Sequence, residues 1–94
     1  MSTIRVEQPH NKSIDDAKAA IDVFGKDMKD KYGLGLDWSG DTAKLKGLGA
    51  SGEIGVGPDR VVVEVKLGMM AKAAGIKADK VEASIKKRLA SALA

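Results

Sequence analysis

The single histidine, His10, is the first candidate for chemistry, because imidazole is the side chain that most often serves as a general base. A catalytic histidine needs a carboxylate partner, and the nearest in sequence are Glu7, Asp15 and Asp16. These acids fit a strand and a helix cap equally well. The favoured interpretation is a loop histidine that hydrogen-bonds the backbone. One histidine also excludes a multi-histidine metal site, and no cofactor is expected.

The only tryptophan lies in the segment Trp38-Ser39-Gly40-Asp41. Its ring could line an apolar ligand pocket or anchor a partner surface. Trp38 is in phase with Leu34 and Leu36, however, so the alternation favours a core position, with Asp41 serving the turn. We keep Trp38, Asp41 and His10 as candidate residues of a ligand or partner surface.

The segment Gly47-Leu48-Gly49-Ala50-Ser51-Gly52 matches the pattern G-x-G-x-x-G of nucleotide-binding proteins. In a nucleotide fold this pattern follows a strand and opens a helix, so that phosphate meets the helix N-terminus. Here the alternating residues 53–56 continue as a strand. The pattern therefore favours a structural turn.

An apolar stretch, residues 69–74, follows the strongest strand and begins with Met69 and Met70. Methionine adapts to irregular surfaces and is common at hydrophobic docking sites. Two successive methionines cannot easily both face inward on a helix. Met69 and Met70 therefore join the candidate partner surface.

The run Lys86-Lys87-Arg88 resembles a nucleic-acid patch. Cations near the C-terminus of a helix also suit the helix dipole, and no aromatic platform accompanies the run. Net charge is only +3, with acids interspersed among the lysines. Nucleic acid is not expected as a partner.

Composition indicates one globular domain over residues 1–94, with 44% hydrophobic and 31% charged residues. Cysteine is absent, which excludes disulfides, thiol catalysis and thiolate metal sites. The first residues lack the pattern of a secretory signal, and no apolar run reaches the ~20 residues of a membrane span. We expect a cytoplasmic protein.

Two helices are predicted from apolar spacings of three and four residues. In the first, Ser13 is the expected N-cap, Gly33 the expected residue after the last turn, and the helix runs to about Tyr32. In the second, a capping signature at Asp79 and Glu82 precedes an apolar stripe that continues to the C-terminus.

The strongest strand signal is Val61–Leu67, where apolar residues alternate with Val62, Glu64 and Lys66. Weaker alternations predict strands at about residues 3–7, 34–38, 43–46 and 53–57. The order is β-α-β-β-β-β-α, and the short connections favour an antiparallel meander. The expected fold is α+β: a mostly antiparallel five-stranded sheet with two helices packed on one face. A strand at a sheet edge, Ile4–Glu7 or Leu34–Trp38, could pair with a second copy to form a homo-oligomer.

Several motifs in this order resemble one family. They are Pro9-His10, Asp15-Asp16-Ala17, Trp38-Ser39-Gly40-Asp41, Gly49-x-x-Gly52-x-Ile54, Val56-Gly57-Pro58-Asp59-Arg60-Val61, Leu67-Gly68-Met69-Met70-Ala71 and Ile85-Lys86-Lys87-Arg88-Leu89. Over nearly its whole length the chain resembles the bacterial polyhydroxyalkanoic acid system family, also called polyhydroxyalkanoate granule-region proteins. The resemblance implies an association with storage polyester, either by gene neighbourhood or at the granule surface. It implies no enzyme activity and no catalytic residues, and it leaves open an architectural role for Pro9, His10, Trp38, Gly40, Asp41 and Gly68.

The expected function is that of a non-enzymatic accessory protein of polyhydroxyalkanoate granule metabolism, with the granule surface or its proteins as partners. The alternative is a small module that binds an acyl or other hydrophobic ligand between the sheet and the C-terminal helix. The element order is similar, by analogy of fold alone, to a reduced helix-grip fold, in which a sheet curls round a long C-terminal helix. A hydrolase or isomerase built on His10 is the weakest hypothesis, because no nucleophile, base and orienting group can be assembled from the sequence.

Overall fold

A computed structural model describes residues 2–47, 49–68, 75 and 77–93 of the chain. The element order is the predicted β-α-β-β-β-β-α, an α+β fold. The elements are β1 (Ser2–Pro9), α1 (Ile14–Tyr32), β2 (Gly35–Ser39), β3 (Thr42–Gly47), β4 (Ala50–Val56), β5 (Arg60–Leu67) and α2 (Ala78–Ala92).

Helix α1 begins and ends where its capping residues predict. The Ser13 side chain accepts a hydrogen bond from the backbone N–H of Asp16 at 3.2 Å, and two acids occupy the first turn. Gly33 takes a left-handed conformation with φ 69°, and its N–H donates to the carbonyl of Lys29 at 2.9 Å. These contacts fix both ends of α1.

The five strands form one antiparallel sheet in the order β1-β5-β4-β3-β2. Strand β5, the strongest strand of the sequence, lies between β1 and β4 and buries its predicted apolar face. The two edges are β1 and β2, the strands that the sequence suggested as edges. Helix α1 therefore connects the two opposite edges of the sheet and must cross its face.

Both helices cover the same face of the sheet, where the core lies. Each strand and each helix contributes apolar side chains to this layer. The most completely buried are Ile21, Phe24, Met28, Leu45, Ile54, Val61, Val63, Val65, Ile85 and Leu89. Charged side chains of β3, β4 and β5 point to the other face and are exposed. The period-two pattern thus determines which face the helices cover.

Some element boundaries differ from those predicted. Strand β2 begins at Gly35, so the buried Leu34 precedes the strand instead of belonging to it. Strand β3 ends at Gly47 and β4 begins at Ala50, so four of the six residues of the glycine-rich segment are strand. Helix α2 has Lys77 as its N-cap with no side-chain cap bond, and Asp79 lies inside the first turn, where the helix dipole favours a negative charge.

Met69 and Met70 lie outside the described residues. In the described part of the chain, no helix is long and apolar enough to cross a membrane.

Candidate functional site

Trp38 is fixed by a hydrogen bond from the edge strand β2 to helix α1. Its indole Nε1 donates to Asp22 Oδ1 at 2.6 Å. The ring is half-buried and packs against the core, as the alternation predicted, but its polar edge points to the helix. The bond exists because α1 crosses the sheet and passes β2 after leaving β1. Trp38 thus secures the helix to the edge of the sheet.

Lys18, one helical turn before Asp22, completes this contact. Its Nζ lies 5.1 Å from the centroid of the Trp38 ring, within the range of a cation–π interaction. The same ammonium donates to the carbonyl of Gly40 at 2.8 Å and lies 3.5 Å from Asp41 Oδ1. The structure therefore brings Trp38 and Asp41 together, with Lys18 between them. We call Lys18, Asp22, Trp38 and Asp41 the hairpin clasp, because they hold the β2–β3 turn against α1.

His10 is buried, with 7% of its surface exposed, and both ring nitrogens are engaged. The backbone N–H of Lys12 donates to Nδ1 at 3.1 Å, which places the proton on Nε2. Nε2 then donates to the carbonyl of Gly57 at 2.8 Å, while the backbone N–H of His10 donates to Asp59 at 2.9 Å. His10 thus fastens the end of β1 to the β4–β5 turn. Both ring nitrogens that a general base would use are committed to the backbone.

The three glycines of the G-x-G-x-x-G segment lie in the β3–β4 hairpin, and no helix follows them. Gly49 makes the turn with φ 78°. At Gly52 a Cβ would lie 2.1 Å from the backbone oxygen of Glu64 in the neighbouring strand. At Gly47 it would lie 2.8 Å from the backbone oxygen of Gly33. Strand packing and turn geometry account for all three glycines without a phosphate.

An open groove of about 690 Å³ runs between α1 and α2. Its lining consists of Val23, Phe24, Asp27 and Lys31 of α1 and Ala83, Ser84, Lys87, Arg88, Ser91 and Ala92 of α2. Val23 is 59% exposed and is the one large apolar side chain so exposed among the described residues. We call this feature the interhelical groove. A single exposed apolar side chain is ordinary on a protein surface, so the groove is a candidate because Val23 shares a concave surface with charged side chains of both helices.

Two polar links cross the interhelical groove. Arg88 Nη1 of α2 lies 3.5 Å from Asp27 Oδ2 of α1, and within α2 the Nε of Arg88 donates to Ser84 Oγ at 3.4 Å. Lys31 Nζ also donates to Ser84 Oγ at 3.2 Å. The end near Lys31 and Ser84 is therefore polar, whereas the other end of the α1 wall carries the exposed Val23. The groove can bind a molecule that is apolar on one side and charged on the other.

A second groove, of about 360 Å³, lies on the polar face of the sheet. Its lining includes the lysines 44, 46 and 66 and the acids Glu53 and Glu64. Neither groove lies between the sheet and α2, where Val81, Ile85 and Leu89 are buried in the core, and Trp38 lines neither one. The two grooves thus give no support to the alternative of an acyl ligand held between the sheet and the C-terminal helix.

The basic run near the C-terminus does not form one patch. Lys87 and Arg88 line the interhelical groove, and Arg88 pairs with Asp27, whereas Lys86 is exposed and outside the groove lining. A helix turns by about 100° per residue, so Lys86 and Arg88 lie about 200° apart and the three cations cannot share one face. The cations therefore serve different surfaces.

Sequence reasoning missed Lys18, Asp22 and Val23. The first two are ordinary exposed helix charges until α1 is placed over the edge strand. Val23 did leave a signal, because it is a large apolar residue off the apolar stripe of α1. One off-stripe apolar residue is common on a surface helix, so the spacing alone could not identify the groove.

Among the described residues, no group of three His, Cys, Asp or Glu side chains is placed to hold a metal ion. Searches of curated proteins and of solved structures found no match to the chain. A family model for polyhydroxyalkanoic acid system proteins, in contrast, matches residues 4–93, from β1 to the residue after α2. Because the family model covers residues 4–93 of the 94, this chain belongs to the polyhydroxyalkanoic acid system protein family.

Proposed function

We propose that this chain is a non-enzymatic accessory protein of polyhydroxyalkanoate granule metabolism, which acts in the cytoplasm at the granule surface or on its proteins. The observation that carries the proposal is family membership over residues 4–93. Membership of a family named for the polyhydroxyalkanoic acid system supports a role in storage-polyester metabolism. The role at the granule is our inference from that setting.

The contacts of the motif residues support an accessory role over catalysis. Both ring nitrogens of His10 form hydrogen bonds with backbone groups, and Trp38 and Asp41 belong to the hairpin clasp. A catalytic base must be able to reach the proton that it abstracts. The residues that the sequence offered for chemistry thus have architectural contacts, and the interhelical groove provides the surface for an interaction.

Granule binding is tested with purified protein and polyhydroxybutyrate granules in a sedimentation assay. We expect the protein to sediment with granules that keep their native surface proteins, and not with polystyrene beads of equal size coated with albumin. A fluorescent fusion should concentrate at granules in polymer-accumulating cells. Equal recovery on beads and granules, together with a diffuse fusion, would contradict the proposal.

The absence of catalysis is tested on the same material. We expect no release of 3-hydroxy acids from granules incubated with the protein, and the same granule binding for His10→Ala once its folding is verified. Release that depends on His10 would show an enzyme and overturn the accessory role. The predicted contribution of Met69 and Met70 to granule binding stays a prediction, and Met69→Ser with Met70→Ser in the same assay tests it.

A further inference from the structure

The shape of the interhelical groove favours an elongated ligand such as a helix. Along α1 the lining runs from Val23 to Lys31, about 12 Å at the helical rise, and along α2 from Ala83 to Ala92, about 13 Å. The groove is open along its length, so it covers one side of a ligand and leaves the other in solvent. Small-molecule sites enclose most of the ligand surface. A rod such as a helix, with one apolar face, fits an open trough of two to three turns.

The α2 wall of the groove permits close approach of a helix. Four of its six lining residues are small, namely Ala83, Ser84, Ser91 and Ala92. Small side chains allow two helix backbones to approach closely, so that a third helix can lie along the open side of the groove, against both α1 and α2. Val23 stands at the opposite wall and offers the apolar surface that such a helix would cover.

The charges of the groove select an acidic partner. Three cations, Lys31, Lys87 and Arg88, line it, against the single carboxylate of Asp27. The Arg88–Asp27 pair is internally balanced. Lys87 has no ion pair in the described part of the chain, so its charge is available to a partner. Complementary charges steer association and fix the orientation of a bound helix.

The charges argue against a second copy, and the shape of the groove argues against a lipid surface. A second copy that docked through its own α2 would bring Lys86, Lys87 and Arg88 to a groove that is already positive, and like charges repel. A lipid surface is flat on this scale, whereas the groove is a concave trough in which Val23 is the one large exposed apolar side chain among the described residues. An acidic helix satisfies both the shape and the charge.

We propose that the interhelical groove binds an amphipathic helix of a partner protein, with its apolar face on Val23 and the small residues of α2 and its acidic flank toward Lys87. The inference deepens the proposed function, on which it rests, by naming the kind of granule protein that the chain engages. The mode is helix-in-groove recognition, in which apolar residues of the partner recur at spacings of three and four.

The test is direct binding of a designed peptide, measured by fluorescence anisotropy with the full chain. The probe is an 18-residue fluorescein-labelled helix with leucine and alanine at spacings of three and four and glutamate on both flanks. Its counterpart carries lysine in place of every glutamate. We expect the acidic peptide to bind, the basic one to bind at least about tenfold more weakly, and salt to weaken the binding.

Two pairs of variants localise the site. Lys87→Glu should weaken binding about tenfold, whereas the matched control Lys86→Glu, with the same change of net charge on the same helix, should stay within about twofold. Val23→Ser should weaken binding about fivefold, because the exposed part of one valine is no longer covered by the peptide, and Ala90→Ser should have no effect. All four sites are exposed, so folding is not at risk.

Several results would overturn the inference. These are equal binding of both peptides, equal effects of Lys87→Glu and Lys86→Glu, a dimer in sedimentation that Val23→Ser dissolves, or binding to phosphatidylglycerol vesicles that Val23→Ser abolishes. Granule sedimentation is scored separately. If the native chain sediments with granules but binds no acidic helix, the partner inference falls and the proposed function stands. If it binds the peptide but no granules, the proposed function falls.

Discussion

Substituting alanine for Gly52 tests whether the G-x-G-x-x-G segment is there for strand packing. Gly52 lies in β4, opposite Val65 of β5. A Cβ at this position would lie 2.1 Å from the backbone oxygen of Glu64 and 3.1 Å from two further backbone atoms, Glu64 C and Val65 Cα. Backbone atoms of a central strand cannot rotate away as a side chain can. The methyl group therefore forces β4 and β5 apart.

The cost follows from the displacement. Relieving the contact needs roughly 1 Å more separation, which is enough to break the adjacent ladder hydrogen bonds. Losing two or three of these bonds at a net value of about 1 kcal/mol each costs about 2–3 kcal/mol. Alanine restricts the unfolded chain and returns about 0.5 kcal/mol. We expect Gly52→Ala to lower the free energy of unfolding by about 1.5–2.5 kcal/mol, and the melting temperature by about 6–20 °C for a domain of this size.

The matched control is Gly55→Ala in the same strand. A Cβ there meets no atom within 4 Å, and the glycine has no positive φ. We expect this variant to be as stable as the native chain or up to about 1 kcal/mol more stable. Both are measured by thermal and urea unfolding followed by circular dichroism. If Gly52→Ala were as stable as Gly55→Ala, the close approach of β4 and β5 would be wrong and the packing account of the motif would fail.

Two further variants test the contacts of the motif residues. In a double-mutant cycle of Trp38→Phe and Asp22→Ala, we expect a coupling energy of about 1 kcal/mol from urea unfolding, because the bond is charge-assisted but exposed; additive effects would contradict the hairpin clasp. His10→Ala should cost about 2 kcal/mol, since it leaves the carbonyl of Gly57 and the N–H of Lys12 without the ring, and a variant as stable as the native chain would refute the fastening role.

The fold was predictable from sequence because its signals are local. The alternation in Val61–Leu67 identifies the apolar face of a strand, and the stripe of α1 identifies the apolar face of a helix. Each apolar face must be buried against the apolar face of another element. The caps Ser13 and Gly33 fixed the ends of α1 for the same reason. The start of α2 was less predictable, because Asp79 suits the first turn of a helix as well as its cap, and only the backbone decides between them.

The clasp and the groove were not predictable, because they depend on where α1 crosses the sheet. Asp22 has Lys26 four residues later, so local reasoning pairs these two, yet its oxygen accepts the bond from Trp38 of a distant strand. Asp27 likewise meets Arg88, which lies far along the chain. A pairwise spacing rule contains no information about helices that meet only after folding.

The residues that stand out in the sequence are not the ones that folding leaves available for an interaction. His10, Trp38, Asp41 and the glycine motif are chemically conspicuous in the sequence, and their contacts join β1, α1 and the hairpins to one another. Val23 is inconspicuous in the sequence and is left exposed by folding, in a groove with an excess of positive charge. A search for the binding surface of this chain should therefore begin at the helix pair, because His10, Trp38 and Asp41 already make contacts within the fold.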